Sequence, residues 1–404
     1  MQTQLADFLK DTPEGAEAER ILRSCVHCGF CLATCPTYQL LGDERDSPRG
    51  RIYLIKQVVE GEPATAEMRL HLDRCLTCRA CETTCPSGVE YGKLVDIGRE
   101  LIEQRTARPP RERALRQGLR RLLPRRALFT ALLRLGQAVR PLVPTTLRRK
   151  IPARGPTLPW PEPARSARKV LMLEGCVQPG LAPEINVATA RLLAQLGIEL
   201  VRTPQAGCCG AISQHLAASA EAAEYMRRNI DAWWPHIEAG AEAVLVNASG
   251  CGVQVKQYGY LLRNDRAYAE KAARIAVLAK DPVELLEGLA DRLRPAADAP
   301  RRIAFQSPCT LQHGQQLNGR VEALLGRLGF ELTPVADPHL CCGSAGTYSI
   351  LQPQLSQALK TNKLQNLQAG APELIASANI GCISHLADGA RVPVRHWLEL
   401  LAAK

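Results

Sequence analysis

The stretch C25-V-H-C28-G-F-C31-L-A-T-C35-P36, answered by C75-L-T-C78-R-A-C81-E-T-T-C85-P86, decides how the first quarter of the chain folds. Each half has the spacing C-x2-C-x2-C-x3-C-P, the run of two-cluster bacterial ferredoxins. Three cysteines at this spacing wrap one face of an iron–sulfur cube. The fourth is carried off by the following turn and proline and reaches the other cube. The expected shells therefore cross. Cys25, Cys28, Cys31 and Cys85 hold one [4Fe-4S] cluster; Cys35, Cys75, Cys78 and Cys81 hold a second. Zinc would use paired C-x2-C units and four ligands, and disulfide frameworks belong to short secreted chains. Neither accounts for eight thiols in two such runs.

Around these runs the pattern is helical. Residues 1–24 read as a lead-in that starts near Pro13, with Ala16, Ala18, Ile21 and Leu22 turned toward the first cluster. Between the runs, Ile52, Leu54, Ile55, Val58 and Val59 predict a helix joining the halves. Arg49 and Arg51 either donate to cluster sulfurs or hold the loop through ion pairs. His27, Thr77 and Arg79 lie inside the cysteine loops and are candidates for tuning the clusters. Lys93 to Gln104 predicts a closing helix.

The chain has 404 residues, sixteen cysteines and a formal charge of +11. Its length suits two to four domains. The N-terminal residues lack the basic and apolar regions of a signal peptide, and no apolar run approaches a membrane span. A cytoplasmic location is expected. The charge excess sits in residues 105–150, where thirteen arginines and Lys150 face one acid, Glu112. Within it Leu128, Leu132, Leu135 and Val139 recur at helical spacing beside Phe129 and Leu133. Residues 126–140 are thus an amphipathic basic helix. It either rests on the cytoplasmic face of the inner membrane as a peripheral foot or packs as an arm on this chain or a partner. No nucleic-acid motif accompanies the charge, so no nucleic-acid partner is expected. Residues 151–167 carry five prolines and read as a linker.

The rest is an internal duplication. The first copy starts on the apolar run K169-V-L-M-L-E-G-C176, passes A206-G-C208-C209-G210 and ends A243-V-L-V-N-A-S-G-C251. The second starts R302-I-A-F-Q-S-P-C309, passes H339-L-C341-C342-G343 and ends L374-I-A-S-A-N-I-G-C382. Cys176 to Cys208 and Cys309 to Cys341 are both 32 positions. Strand, helix, strand of this kind implies a parallel sheet, whose sites form at the carboxyl ends of the strands. Cys176, Cys208, Cys209 and Cys251 can then converge on one rim, as can Cys309, Cys341, Cys342 and Cys382. A metal or redox centre in at least one copy is expected; the alternative, cysteines used as small hydrophobes, leaves two copies with adjacent cysteines at matched intervals unexplained. Gly210, Gly250, Gly343 and Gly381 let backbone come close to whatever binds. His215, His313, His339 and His385 also lie in this half, and His339 stands two residues from Cys341. No G-x-G-x-x-G loop signals a flavin or nicotinamide on this chain.

Two ferredoxin runs followed by two Cys-Cys-Gly copies resemble the iron–sulfur subunits of multi-subunit flavin dehydrogenases. That group includes glycolate oxidase, anaerobic glycerol-3-phosphate dehydrogenase, a lactate-utilisation protein and heterodisulfide reductase. The matching stretches are C25-V-H-C-G-F-C-L-A-T-C-P-T-Y, S47-P-R-G-R-I-Y-L-I-K, C75-L-T-C-R-A-C-E-T-T-C-P-S-G-V-E-Y-G, G207-C-C-G-A and L340-C-C-G-S-A-G-T-Y; the ferredoxin and Cys-Cys-Gly motifs are shared across the group, and the stretches between them favour the glycolate oxidase family. The resemblance implies an electron-transfer subunit with no catalytic residue of its own. Its partner would be an FAD-containing glycolate-oxidising subunit, and its acceptor a respiratory quinone. A relay for lactate or glycerol 3-phosphate oxidation, or a thiol–disulfide reductase, is the alternative. The resemblance to heterodisulfide reductase implies iron–sulfur clusters in these copies, but its five-cysteine sites are not complete here: Ala248 and Asn379 stand where the fifth cysteine would precede Cys251 and Cys382, and the four thiols each copy keeps suffice for an ordinary [4Fe-4S] cluster in one copy, both or neither. The expected architecture is multidomain, α+β and α/β. A helical two-cluster ferredoxin domain spans 1–104, an arginine-rich arm and linker 105–167, and Cys-Cys-Gly domains 168–298 and 299–404.

Overall fold

The computed structural model describes residues 1–144, 151–153, 155, 158–162 and 166–402. Arg148, Arg149 and Lys150 of the basic segment, and Pro156 and Pro163 of the proline-rich stretch, lie outside the described residues.

Four helices wrap the two cysteine runs: Pro13–Ser24, Pro48–Val59, Ala66–Asp73 and Tyr91–Arg105. The first two begin alike. Thr12 and Ser47 each accept a backbone N–H, from Gly15 and Gly50, and proline follows at the first helical position. There its missing N–H leaves no bond unmade. Ile21, Leu22, Ile55, Val59, Leu94, Val95 and Ile102 meet in one core. Gly98 is what lets the second and fourth helices touch, since a Cβ there would stand 2.6 Å from Ile55 Cγ1. Ala18, Ile21 and Leu22 face this core as the periodicity predicts. Ala16 does not; it is exposed, because two residues along a helix turn the side chain to the far side.

The basic segment forms two helices, Pro110–Leu122 and Arg126–Val139. Only the second is evident from sequence. The first is docked by its arginines. Arg108 and Arg116 are buried against Asp73, at 2.6 and 3.0 Å, and Arg120 pairs with Glu221 at 2.7 Å. The second helix leans on the first Cys-Cys-Gly copy, with Phe129 beneath Gly180 and Arg126 on Glu174 at 2.8 Å.

Each copy carries a four-stranded parallel sheet. Strands β1 (Lys169–Met172), β2 (Glu199–Arg202), β3 (Ala243–Leu245) and β4 (Ala279–Lys280) run in the order β2-β1-β3-β4. Strands β5 (Arg302–Gln306), β6 (Glu331–Leu332), β7 (Leu374–Ser377) and β8 (Val394–His396) repeat it as β6-β5-β7-β8. The order reverses between β1 and β3, and between β5 and β7. Those are the switch points where a doubly wound sheet opens a crevice. The edge strands β4 and β8 are too short to show in the sequence pattern.

The copies are not beads on a string. Val170, Met172, Leu193 and Leu245 of the first share one core with Ile303, Phe305, Leu324 and Trp397 of the second. Polar bonds cross the same seam: the buried His396 Nε2 donates to Asn247 O at 2.9 Å, and Ser249 N to Ala378 O at 3.1 Å.

Candidate metal centres

The loops between the cysteines turn by left-handed residues at matched places. His27 and Gly29 have φ of 60° and 90°, and Thr77 and Arg79 have 53° and 62°. Such alternation points successive N–H groups into a concavity suited to anions, iron–sulfur clusters included. For β-branched Thr77 this backbone is strained. Only Gly29 announces the turn in the sequence.

Two cavities lie side by side under these loops. Cys25, Cys28, Cys31 and Cys85 line the first, with Val26, Phe30, Ile52 and Val89. Cys35, Cys75 and Cys78 line the second, with Thr37, Arg51 and Leu76. Cys81, Pro48 and Tyr91 form a common wall. The last cysteine of each run thus faces the first three of the other. All eight thiols are free, and the walls are apolar enough to exclude water, so the residues fit a pair of iron–sulfur clusters.

The two cavities differ in exposure and field. At the first, Cys28 is exposed, and Val26 and Phe30 beside it are 68% and 65% exposed. Burial pushes the Cys31 thiol up to about 11 and raises Cys25 as well. At the second, burial drives Cys78 and Cys81 well above the ordinary thiol value. Cys75 is fully buried too, yet the Arg51 and Arg99 guanidiniums outweigh burial and hold it below that value.

The residues singled out for tuning divide. His27 Nε2 lies 3.3 Å from Arg49 O, so its ring ties loop to helix. Thr77 gives its backbone N–H to Cys75 Sγ at 3.4 Å and accepts Arg99 Nη1 at 2.8 Å. Arg79 borders the second cavity, but its guanidinium lies by Glu82 and Gly92. Arg49 is spent on Glu44 at 2.7 Å. Arg51 does both things foreseen for it: Nη2 pairs with Asp46 at 3.2 Å, and Nη1 lies 4.0 Å from Cys35 Sγ.

In each Cys-Cys-Gly copy four thiols meet at the switch point. Cys208 lies against Cys176 and Cys209, and Cys209 against Cys251. Cys309 Sγ is 3.9 Å from Cys341 Sγ, and Cys342 lies against Cys341 and Cys382. The turns match closely: Gly210 N and Gly343 N each donate to the first thiol of their pair at 3.4 Å. Gly343 has φ 87°, and a Cβ there would stand 2.5 Å from Ser356 O.

The copies differ in what surrounds the thiols. Lys363 is buried beside Cys342, Cys341, Cys309 and Cys382, its ammonium donating to Asp337 O at 3.0 Å. In the first copy the neutral Asn229 approaches instead, giving its amide to Cys208 O at 2.8 Å. Ala248 packs in an apolar cluster. Asn379 sends Nδ2 to Cys382 Sγ at 3.5 Å and accepts Gly250 N at 3.3 Å. Position 379 thus supplies an amide where a five-cysteine site would have its fifth thiol.

The second copy also abuts the ferredoxin domain. Cys78 and Cys309 pack on one small cluster with Leu76, Cys341 and Tyr348. His313 Nδ1 takes the Thr83 hydroxyl at 2.9 Å, and its Nε2 donates to His339 O at 3.1 Å. His339 enters through its carbonyl. His215 lies 3.6 Å from Asp96, and His385 Nε2 meets Ser356 Oγ at 3.2 Å.

A 4Fe-4S dicluster domain matches residues 21–89, and a cysteine-rich domain matches 170–256 and again 303–387. The chain is 56% identical to the glycolate oxidase iron–sulfur subunit of Escherichia coli, over 99% of this chain and 98% of that one. It is 32% identical to a probable glycolate oxidase iron–sulfur subunit of Bacillus subtilis, over 91% and 89%. Lactate utilization protein A of Geobacillus thermodenitrificans is 25% identical over 58% of this chain and 98% of that protein. Among the described residues no helix is long and apolar enough to cross a membrane.

Proposed function

The chain belongs to the family of glycolate oxidase iron–sulfur subunits, and from that premise we propose that it is the electron relay of a glycolate-oxidising complex. The two crossed cavities carry this reading. Cys25, Cys28, Cys31 and Cys85 hold one [4Fe-4S] cluster, and Cys35, Cys75, Cys78 and Cys81 the other. Such clusters supply one-electron steps, which split the electron pair that alcohol oxidation on a flavin releases.

The protein's own part is to order the sites by exposure. Cys28, Val26 and Phe30 present an open apolar edge, where an FAD-containing glycolate-oxidising subunit would dock. Pro48 and Tyr91, with the ligand Cys81, form the wall that edge shares with the buried quartet. Cys78 leads on to Cys309, and the Lys363 ammonium can balance thiolates at Cys309, Cys341, Cys342 and Cys382. This favours the second copy over Cys176, Cys208, Cys209 and Cys251 as the place of a third cluster. From there electrons leave toward a quinone. Glycolate is favoured over lactate because likeness to the glycolate oxidase subunits runs the length of the chain. The exposed stripe of the Arg126–Val139 helix is the face offered to a cytoplasmic membrane surface.

Anaerobically purified chain should hold about eight irons, or about twelve if the second copy is loaded. Co-purified with its flavoprotein, it should bleach on adding glycolate and not lactate. Four or fewer irons in a folded sample, or bleaching by lactate alone, would overturn the reading.

A further inference from the structure

Arg51 has more cationic company than its one acid can balance. It is buried, with Nε donating to His71 O at 2.7 Å and Nη2 to Thr37 Oγ1 at 3.1 Å. Its partner Asp46 is also buried and is shared with Arg74 at 2.8 Å and His71 Nδ1 at 3.1 Å. On the other side of the quartet, buried Arg99 donates to Cys75 O at 2.6 Å and Leu72 O at 2.9 Å. Asp96 stands 4.0 Å from Arg99, at the limit of an ion pair. Three guanidiniums therefore face two carboxylates around Cys35 and Cys75. One O–H group joins them: Tyr91 Oη donates to Cys75 Sγ at 3.6 Å, whereas the Thr37 hydroxyl, 3.3 Å from Cys35 Sγ, gives its proton to Asp46 O at 2.9 Å.

A reduced cluster carries one more negative charge than an oxidised one. Burial opposes that charge; fixed cations and hydrogen bonds to sulfur favour it. At the exposed quartet the fixed cations lie nearer solvent: the partly buried Met1 ammonium donates to Cys25 O at 2.7 Å, and Arg49 is half-buried and neutralised by Glu44.

We propose that Arg51, supported by Arg99 and the Tyr91 hydroxyl, holds the potential of the buried cluster above the value its burial alone would give. The buried quartet then accepts an electron from the exposed one instead of rejecting it. The inference rests on the crossed ligand sets proposed above, and names the residues that give the relay its direction.

The test is a potentiometric titration of the full, cluster-loaded chain followed by paramagnetic resonance. Cys35→Ser marks the buried quartet by the signal it alters. Arg51→Gln should then lower that midpoint and leave the other unmoved. A tenfold change in electron partition would read as about 59 mV for a one-electron couple. Tyr91→Phe should move it less and in the same direction, and Arg51→Lys should largely restore it. An unmoved midpoint, an upward shift, or equal shifts in both signals would overturn the proposal. If Arg51→Gln fails to hold iron, Tyr91→Phe and Arg99→Gln decide by the same readings. Failure of the crossed ligation looks different: wild-type iron falls short of about eight, or Cys35→Ser alters the exposed cluster.

Discussion

Replacing Leu132 and Leu135 by serine should release the chain from anionic membranes. The two leucines are 47% and 62% exposed and lie on one face of the Arg126–Val139 helix with Leu128 and Val139. Burying a whole leucine side chain is worth about 2–3 kcal/mol. At roughly half exposure each contributes about 1–1.5 kcal/mol on entering the acyl boundary. Losing both costs about 2.5 kcal/mol, a fall in partition of roughly fifty- to a hundredfold. The inward side of the helix, Phe129 on Gly180, is untouched by these changes, so folding and iron content should be unaltered. The assay is sedimentation with phosphatidylglycerol-containing vesicles at low and high salt. Exposed Arg121, Arg125 and Arg134 should make binding salt-sensitive. Undiminished sedimentation of the double variant would refute the foot. So would equal binding to neutral and anionic vesicles.

Cys85→Ser should disturb the cluster of the first run, from which it is distant in sequence, while Cys35→Ser disturbs that of the second. Resonance spectra in which each change strikes its own run would remove the crossover. Gly343→Ala forces a Cβ onto Ser356 O in a left-handed turn. It should cost about 2 kcal/mol or more and loosen the second-copy thiols; iron and melting temperature together would check this, and an unchanged melting point would refute it. Burial pushes His396 down to about 4. Its folded value lies below the unfolded one, so its contribution is complete above about pH 6.5 and is lost as pH falls through 4. The loss approaches about 3 kcal/mol. Buried Asp281 and Glu399, both raised to about 7, work in the opposite sense, since acid stabilises their neutral forms. Urea unfolding of wild type against His396→Asn should isolate the histidine; parallel pH profiles would deny it.

The cysteine spacing made the ferredoxin runs and the duplicated sheets legible, because three thiols of each cluster shell and a β–α–β unit are set by local sequence. What escaped depends on residues far apart. The Pro110–Leu122 helix shows a charge run in sequence, yet it is docked by Asp73, which belongs to another helix. Strands β4 and β8 have two and three residues, and only a neighbouring strand makes them visible. Of the left-handed residues in the cysteine loops only Gly29 announces itself; His27, Thr77 and Arg79 do not. In sequence Arg51 is equally a sulfur neighbour or an ion-pair partner; in the fold it is both, since one guanidinium has room for each task.

The interior common to the two Cys-Cys-Gly copies bears on how the chain can be cut or have arisen. Each half supplies the wall that the other lacks, as the two members of a symmetric dimer do. A fragment ending near 298 would bare Val170, Leu193 and Leu245 to water, and should aggregate or pair with itself. A gene that doubled from a self-associating ancestor would inherit such a seam already fitted. One thiol cluster could then change its surroundings while its twin kept the shared frame standing.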